Sequence, residues 1–227
     1  MMLPEPSQNF IATRHTLKGA GVWSIPALKN AGFGPGQKIV KAVTGDWQLS
    51  GIWSANSPSA YTVGYGFQNG FGNQNLTGSP DFGGRVKLTG DPGSGCASGD
   101  PYRQFNTSAF APPQQGSVGM ESGVDYMRGC WQQQFDLALQ RDFRLFGEGR
   151  RLSFRLDAFN VFNQSHITGR NTGMTVVSQT DPTIVNLPFD ASGNLVPGRS
   201  RPNSSGFGMA TAYQNPRTIQ AWLRFTF

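Results

Sequence analysis

Apolar and polar side chains alternate along several stretches of the chain, and the alternation predicts β-strands. From Trp131 to Leu145 the odd positions are Trp131, Gln133, Phe135, Leu137, Leu139, Arg141, Phe143 and Leu145, most of them apolar. The even positions, Gln132, Gln134, Asp136, Ala138, Gln140, Asp142 and Arg144, are polar or charged apart from Ala138. A period of two puts these sets on opposite faces of one strand. The pattern resumes with Leu152, Phe154, Leu156 and Ala158 against Ser153, Arg155 and Asp157. The intervening Phe146-Gly147-Glu148-Gly149-Arg150 reads as a hairpin turn. A third run sets Ile219, Ala221, Leu223, Phe225 and Phe227 against Gln220, Arg224 and Thr226, with Trp222 as the exception. Two weaker strands lie upstream. One carries Leu17, Trp23 and Ile25 and stops at Pro26; the other carries Trp47, Leu49, Gly51, Trp53 and Ala55 on one face. The predicted strands are therefore 14–25, 47–63, 131–145, 151–163 and 217–227 of one unit covering 1–227, with a short helix over Lys38–Val43.

An amphipathic strand packs its apolar face on a core in a soluble sandwich, or turns that face to lipid around a watery lumen. Three features favour lipid. The polar faces mix signs, with Asp136, Asp142, Arg144, Arg155, Asp157 and Arg224, as a wet lumen crossed by a charge network requires. The strands approach the ~9–11 residues that span a bilayer at a tilt, against ~5–6 for a typical globular strand. Aromatic residues sit toward strand ends (Trp23, Trp47, Trp131, Phe143, Phe225, Phe227), where interfacial girdles belong. The connections also alternate in length. Those over 64–130 and 164–216 are long, and those over 26–46 and 146–150 are shorter, which matches long external loops and short periplasmic turns. The expected fold is all-β: antiparallel up-and-down strands forming an open five-stranded portion of a large transmembrane β-barrel with long extracellular loops. The alternatives are a secreted β-sandwich binding module and a non-transporting outer-membrane adhesin barrel.

Composition narrows the function. The 227 residues are 37% hydrophobic and 14% charged, with 30 Gly and 15 Pro, so turns are abundant. No apolar run approaches the ~18 residues of a membrane-spanning helix. The net charge of +6 comes from basic residues scattered along the chain, which argues against a nucleic-acid partner. Cys96 and Cys130 are either two buried thiols or, outside the cytoplasm, a disulfide; pairing is the expectation.

Candidate chemistry is sparse. His15 and His166 lack carboxylate or Cys companions at metal spacing, so no metal is expected. No Ser-His-Asp arrangement has supporting context, so neither catalytic residues nor a cofactor are expected. Asp136 and Asp157 on adjacent lumen faces form a carboxylate pair of the kind glycosidases use, but salt bridges to Arg155 or Arg144 fit that setting better. Asp190, Ser192 and Asn194 alternate as in a calcium loop, yet no bidentate Glu follows; Phe189–Leu195 reads as a small hairpin.

Several segments carry a resemblance. They are Arg14-His15-Thr16-Leu17 leading to Gly21-Val22-Trp23-Ser24-Ile25-Pro26, Gly45-Asp46-Trp47-Gln48-Leu49-Ser50-Gly51-Ile52, Phe105-Asn106-Thr107-Ser108-Ala109-Phe110, Phe135-Asp136-Leu137-Ala138-Leu139, Phe154-Arg155-Leu156-Asp157-Ala158-Phe159-Asn160-Val161-Phe162-Asn163, and Asn215-Pro216-Arg217-Thr218-Ile219-Gln220 through Phe227. In this order they resemble the C-terminal part of TonB-dependent outer-membrane transporters, in particular the Oar-like group with carboxypeptidase-regulatory-type N-terminal domains. The resemblance implies a barrel of about twenty-two strands, plugged by an N-terminal domain that contacts TonB, and an importer of bulky solutes such as peptides, glycans or metal chelates. It implies outer-membrane lipid as surroundings. It also implies an assembly signal at Ile219, Leu223, Phe225 and Phe227, read by the barrel-assembly machinery, and a lumen network of Asp136, Arg144, Arg155, Asp157 and Arg224. The expectation is a piece of such a barrel, without plug, TonB-contacting segment or signal peptide, because five strands leave open edges in lipid.

Overall fold

The computed structural model describes residues 13–26, 45–68, 84–97, 99–117, 119–145, 149–178 and 180–227. Along them run β1 (Thr16–Ile25), β2 (Trp47–Asn56), β3 (Ala60–Tyr61), β4 (Gly64–Phe67), β5 (Lys87–Leu88), β6 (Phe110–Ala111), β7 (Met127–Arg128), β8 (Gln132–Arg144), β9 (Arg151–Phe159), β10 (Ile167–Arg170), β11 (Gly173–Val176), β12 (Ala210–Tyr213) and β13 (Thr218–Thr226). Among the described residues no helix is long and apolar enough to cross a membrane. The predicted helix over Lys38–Val43 and positions 146–148 of the hairpin turn lie outside the described residues.

The chain divides into two compact units. The first, built from 16–55, 133–165 and 215–227, is a sheet in the order β1-β2-β8-β9-β13. Strand β9 pairs antiparallel with β8 (Leu139↔Leu156, Arg141↔Phe154) and with β13 (Leu156↔Ala221, Phe154↔Leu223) without a break in register. On the β2 side, Gln48 bonds Gln140 through their side chains, Ser50 Oγ donates to the Ala138 carbonyl, and Gly51 lies beside Leu137. Numbers rise along one strand as they fall along the other, the mark of an antiparallel pair. A Cβ at Gly51 would come within 3.2 Å of the Leu137 side chain, so glycine there leaves room for Leu137 and Phe135. Through these registers Leu49, Leu139, Leu156 and Ala221 share one face, and Gln48, Gln140, Arg155 and Trp222 share the other.

The sheet buries little on either face. Trp23 is 59% exposed and Leu223 66%. In a sandwich, Leu137, Phe154 and Leu223 would be hidden between two sheets; Leu137 and Phe154 are half-buried and Leu223 lies open.

The second unit, from 1–15, 56–132 and 166–214, has a conventional interior. Val63, Val86, Phe105, Phe110, Met127, Met174, Val176 and Phe207 pack into one buried cluster. Phe105 meets Phe207 and Phe110 edge-on at 5.3 and 5.5 Å, the offset geometry that aromatic quadrupoles favour. Four two-stranded ladders frame it: β3 with β7, β5 with β6, β10 with β12, and a parallel pair of β4 with β11.

Three expectations differ from the observed elements. The strand predicted over 47–63 ends at Asn56: Ser57 N–H still donates to the His15 carbonyl and its Oγ accepts from the His15 N–H, but Pro58 after it has no N–H with which to continue a ladder. The strand predicted over 151–163 ends at Phe159, because Asn160 and Asn163 adopt left-handed φ of 50° and 51°, a conformation Asn tolerates better than most residues. The connections over 64–130 and 164–216, expected as loops, fold into the second unit because they carry its apolar cluster and short ladders.

Candidate functional site

Two features are candidates: the polar face of the sheet and the surface of the folded module.

On the polar face, Arg155 Nε donates to Asp157 Oδ1 at 2.7 Å. The two side chains are two residues apart on β9 and so point the same way. Asp136, expected to pair with Arg155 or Arg144, does something else. Its carboxylate accepts from Gln134 Nε2 at 2.8 and 3.0 Å and from the Asn160 N–H at 2.8 Å. The left-handed turn at Asn160 aims that N–H at Asp136. Arg144 stands opposite Arg151, and Arg224 opposite Ser153. Among the described residues neither makes an ion pair, and the ion pair within the expected five-residue set is that of Arg155 with Asp157. At the turn end of this face, a cavity of about 720 Å³ gathers Gln48, Gln140, Asp142, Arg144 and Arg151.

Asn160 and Asn163 are residues that strand patterning does not single out. Asn160 is buried; its Nδ2 donates to the carbonyls of Gln164 and Asn215 at 2.8 and 2.9 Å, and its Oδ1 accepts from the Gln164 N–H. Asn163 Oδ1 accepts from the Arg217 N–H at 2.9 Å. These bonds tie the exit of β9 to the entry of β13. The signal available in the sequence was two Asn residues three apart at the end of an alternating run.

On the other face, Ile219, Leu223 and Phe225 project from β13, and Phe225 and Phe227 stack at 5.9 Å. All four proposed assembly-signal residues are exposed. Arg141 is the charged residue in this apolar set; its guanidinium lies 5.5 Å from the Trp47 ring and 4.6 Å from that of Phe143, as a cation on an apolar face requires.

In the module, Cys96 and Cys130 form a disulfide with Cα atoms 5.1 Å apart. Beside it, Tyr61 Oη donates to the Gly95 carbonyl at 2.8 Å, and the Arg170 guanidinium lies 4.7 Å from the Tyr61 ring. Burial pushes the Tyr61 phenol up and the Arg170 guanidinium down from their ordinary values. Gly95 has φ +80°, and a Cβ there would sit 2.5 Å from the Arg128 carbonyl; glycine is required for that approach. A cleft of about 350 Å³ presents Tyr102, Phe189, Asn106 and Asp190, with the Arg103 guanidinium 4.1 Å from the Phe189 ring. This mixture of rings and polar groups suits contact with a polar solute. Asp190 itself holds the 189–195 hairpin, accepting from the N–H groups of Ser192 and Asn194 at 2.9 Å each.

His15 and His166 take part through their backbones, His15 with Ser57 and His166 with Gln214. Among the described residues no group of three or more His, Cys, Asp or Glu is placed to hold a metal ion.

A family model described as an outer membrane beta barrel domain matches residues 5–220. No curated protein and no solved structure matches the chain.

Proposed function

The chain belongs to the outer membrane beta barrel domain family, and from that premise we propose that it is a sector of a TonB-dependent transporter barrel of the Oar-like group, contributing to capture and uptake of a bulky solute. The observation that carries the reading is the sheet's orientation: its apolar face is open, with Leu223 two-thirds exposed, while its other face holds the Arg155–Asp157 pair. Such a sheet is stable where lipid meets the first face and water the second. The module adds what a bare barrel wall lacks, a folded surface with the Tyr102–Phe189 cleft.

In this reading the partners are outer-membrane lipid, the barrel-assembly machinery acting on Ile219, Leu223, Phe225 and Phe227, the further strands and plug that complete the barrel, and TonB through that plug. The location is the outer membrane. We assign no catalysis to the chain; its side chains bind and line.

The test is uptake in cells from which the gene is deleted. A panel of fluorescent peptides, oligosaccharides and metal chelates is offered, with and without a proton uncoupler. Loss of energy-dependent accumulation of one class on deletion supports the transporter. Unchanged accumulation together with lost surface attachment would instead make the protein a non-transporting adhesin.

A further inference from the structure

The cleft of the module takes its two walls from separate connections. Tyr102 and Asn106 stand on one side, and Pro188, Phe189 and Asp190 on the other, around a cavity of about 350 Å³. Bonds beneath each wall hold it. Gln104 is buried; its Nε2 donates to the carbonyls of Ala97 and Asp100 at 2.7 and 2.8 Å, and its N–H donates to that of Gly208 at 2.9 Å. The Tyr102 N–H donates to Asp100 Oδ1 at 2.9 Å. Across the cleft, Phe189 bridges Leu195, and the Val196 N–H donates to the Pro188 carbonyl at 2.9 Å. Walls fixed in this way spare a ligand the cost of ordering them.

Arg103 stands between the two pinned residues Tyr102 and Gln104, and its guanidinium lies over the Phe189 ring at 4.1 Å. The ring holds the cation in place while its N–H donors stay available. Among the described residues this guanidinium makes no ion pair and no hydrogen bond. The polar groups around it are engaged. Asn106 Oδ1 accepts from the N–H and the hydroxyl of Ser108, and its Nδ2 donates to the Asp91 carbonyl. The Asp190 carboxylate is turned onto its own hairpin, where Oδ1 accepts from two N–H groups. The cleft therefore offers a ligand one cation beside two rings and a proline. A sugar ring needs several free donors and acceptors for its hydroxyls. A single carboxylate on an apolar body needs only what stands here.

We propose that this cleft seats the C-terminal residue of a peptide, with its carboxylate on the Arg103 guanidinium and its apolar side chain against Tyr102, Phe189 and Pro188. Guanidinium and carboxylate match edge to edge through two parallel N–H···O bonds. The proposal rests on the transporter reading and names peptides as the solute class within it.

The test is binding to outer-membrane vesicles from cells producing the full chain, with vesicles from cells lacking the gene as the blank. The probe is a Gly-Ser-Ala-Phe peptide carrying a fluorophore on its N-terminus, offered as the free acid or as the C-terminal amide. The acid is expected to bind roughly ten-fold or more tightly than the amide, the range of hydrogen bonds to a charged group. Arg103→Ala is expected to abolish that preference, and Arg103→Lys to restore only part of it, because a point charge replaces a fork. Arg103 is exposed, and protease resistance of the module verifies that both variants fold. Equal binding of acid and amide, a preference that survives Arg103→Ala, or tighter Arg103-dependent binding of a uronate trisaccharide would each overturn the proposal. Binding to these vesicles needs no energy source, so the two readings fail separately. Arg103-dependent binding of the acid without an uptake defect on gene deletion would support the seat and discard the transporter. Energy-dependent peptide uptake that Arg103→Ala leaves intact would keep the transporter and discard the seat.

Discussion

Leu223 of the sheet leaves about two-thirds of its side chain open, whereas Phe207 of the module leaves none. Both are large apolar side chains, Leu223 on the strand β13 and Phe207 in a turn between Gly206 and Gly208. The module gathers its rings, Phe105, Phe110 and Phe207, around one point and excludes water from them. The sheet lays Leu137, Leu156, Leu223 and Phe225 out along one surface and gathers nothing. The same hydrophobic residues are therefore used against two solvents. In the module the apolar side chains leave water for a protein core; in the sheet they have no such core, and in the proposed reading they meet lipid. Substitutions of one chemical type should then have different consequences in the two units.

Core truncation separates them most. Phe207→Ala removes a fully buried ring that touches Phe105 and Phe110 and should cost the module roughly 3–5 kcal/mol. Leu223→Ala leaves no cavity, since nothing packs over it, and should cost far less. Protease sensitivity of the module across a urea series reads the first, and heat-modified gel mobility reads the second. Comparable losses at both positions would end the comparison. Next comes the disulfide: it spans a separation of 34 residues, and replacing Cys96 and Cys130 by Ser should destabilise the module by roughly 3–4 kcal/mol on chain-entropy grounds. The sheet contains no cysteine, so its heat-modified mobility should not respond to reductant.

A charge scan along β9 addresses the sheet directly. Leu156 lies near the middle of the strand on the apolar face, and Arg155 beside it lies on the polar face. Leu156→Arg should cost about 2–4 kcal/mol if that face meets the bilayer midplane. The neighbouring position already carries an arginine, on the polar face and paired with Asp157. Assembly yield in outer-membrane vesicles measures the effect, and a Leu156→Arg protein that assembles normally would mean that lipid does not touch this face.

The two faces of the sheet were legible in the sequence because a period of two survives over nine to thirteen residues. Asp136 and Leu137, or Leu156 and Asp157, sort correctly by parity alone. Parity does not tell which partner a polar residue takes. Asp136 was assigned an arginine and instead accepts the Asn160 N–H, because the left-handed turn at Asn160 is invisible to an alternation count. The module was illegible for a different reason. Its strands are two to four residues long, too short for any period, and the parallel pair of Gly64–Phe67 with Gly173–Val176 joins segments far apart in the chain. Buried Val63, Val86 and Met174 lie singly between Thr62 and Gly64, Arg85 and Lys87, and Gly173 and Thr175, so no window of sequence concentrates them. For the clefts, Tyr102 and Phe189 come together at 6.5 Å from two separate connections, which spacing along the chain does not encode.

The smallest expected effect lies in the module, at the 189–195 hairpin. Asp190 accepts the backbone N–H groups of Asn194 and Ser192, and these bonds, that of Asn194 foremost, hold its carboxyl below the ordinary value of 3.8. A carboxyl with a lowered pKa adds stability above its ordinary value and withdraws it as pH falls through the lowered one. The hairpin should thus be intact at neutral pH and loosen only as the solution is acidified past the ordinary carboxylate value. Because Asp190 is fully exposed, water and salt screen the contribution, and the change should stay within the hairpin. Amide exchange at Ser192 and Asn194 measures it: protection should fall on acidification in the native protein and lose its pH dependence in Asp190→Asn. Protection of the same amides that stays constant through that acid range would show that the turn holds by its backbone bonds alone, such as Asp190 N–H to the Asn194 carbonyl at 2.9 Å, and that the carboxylate adds nothing to it.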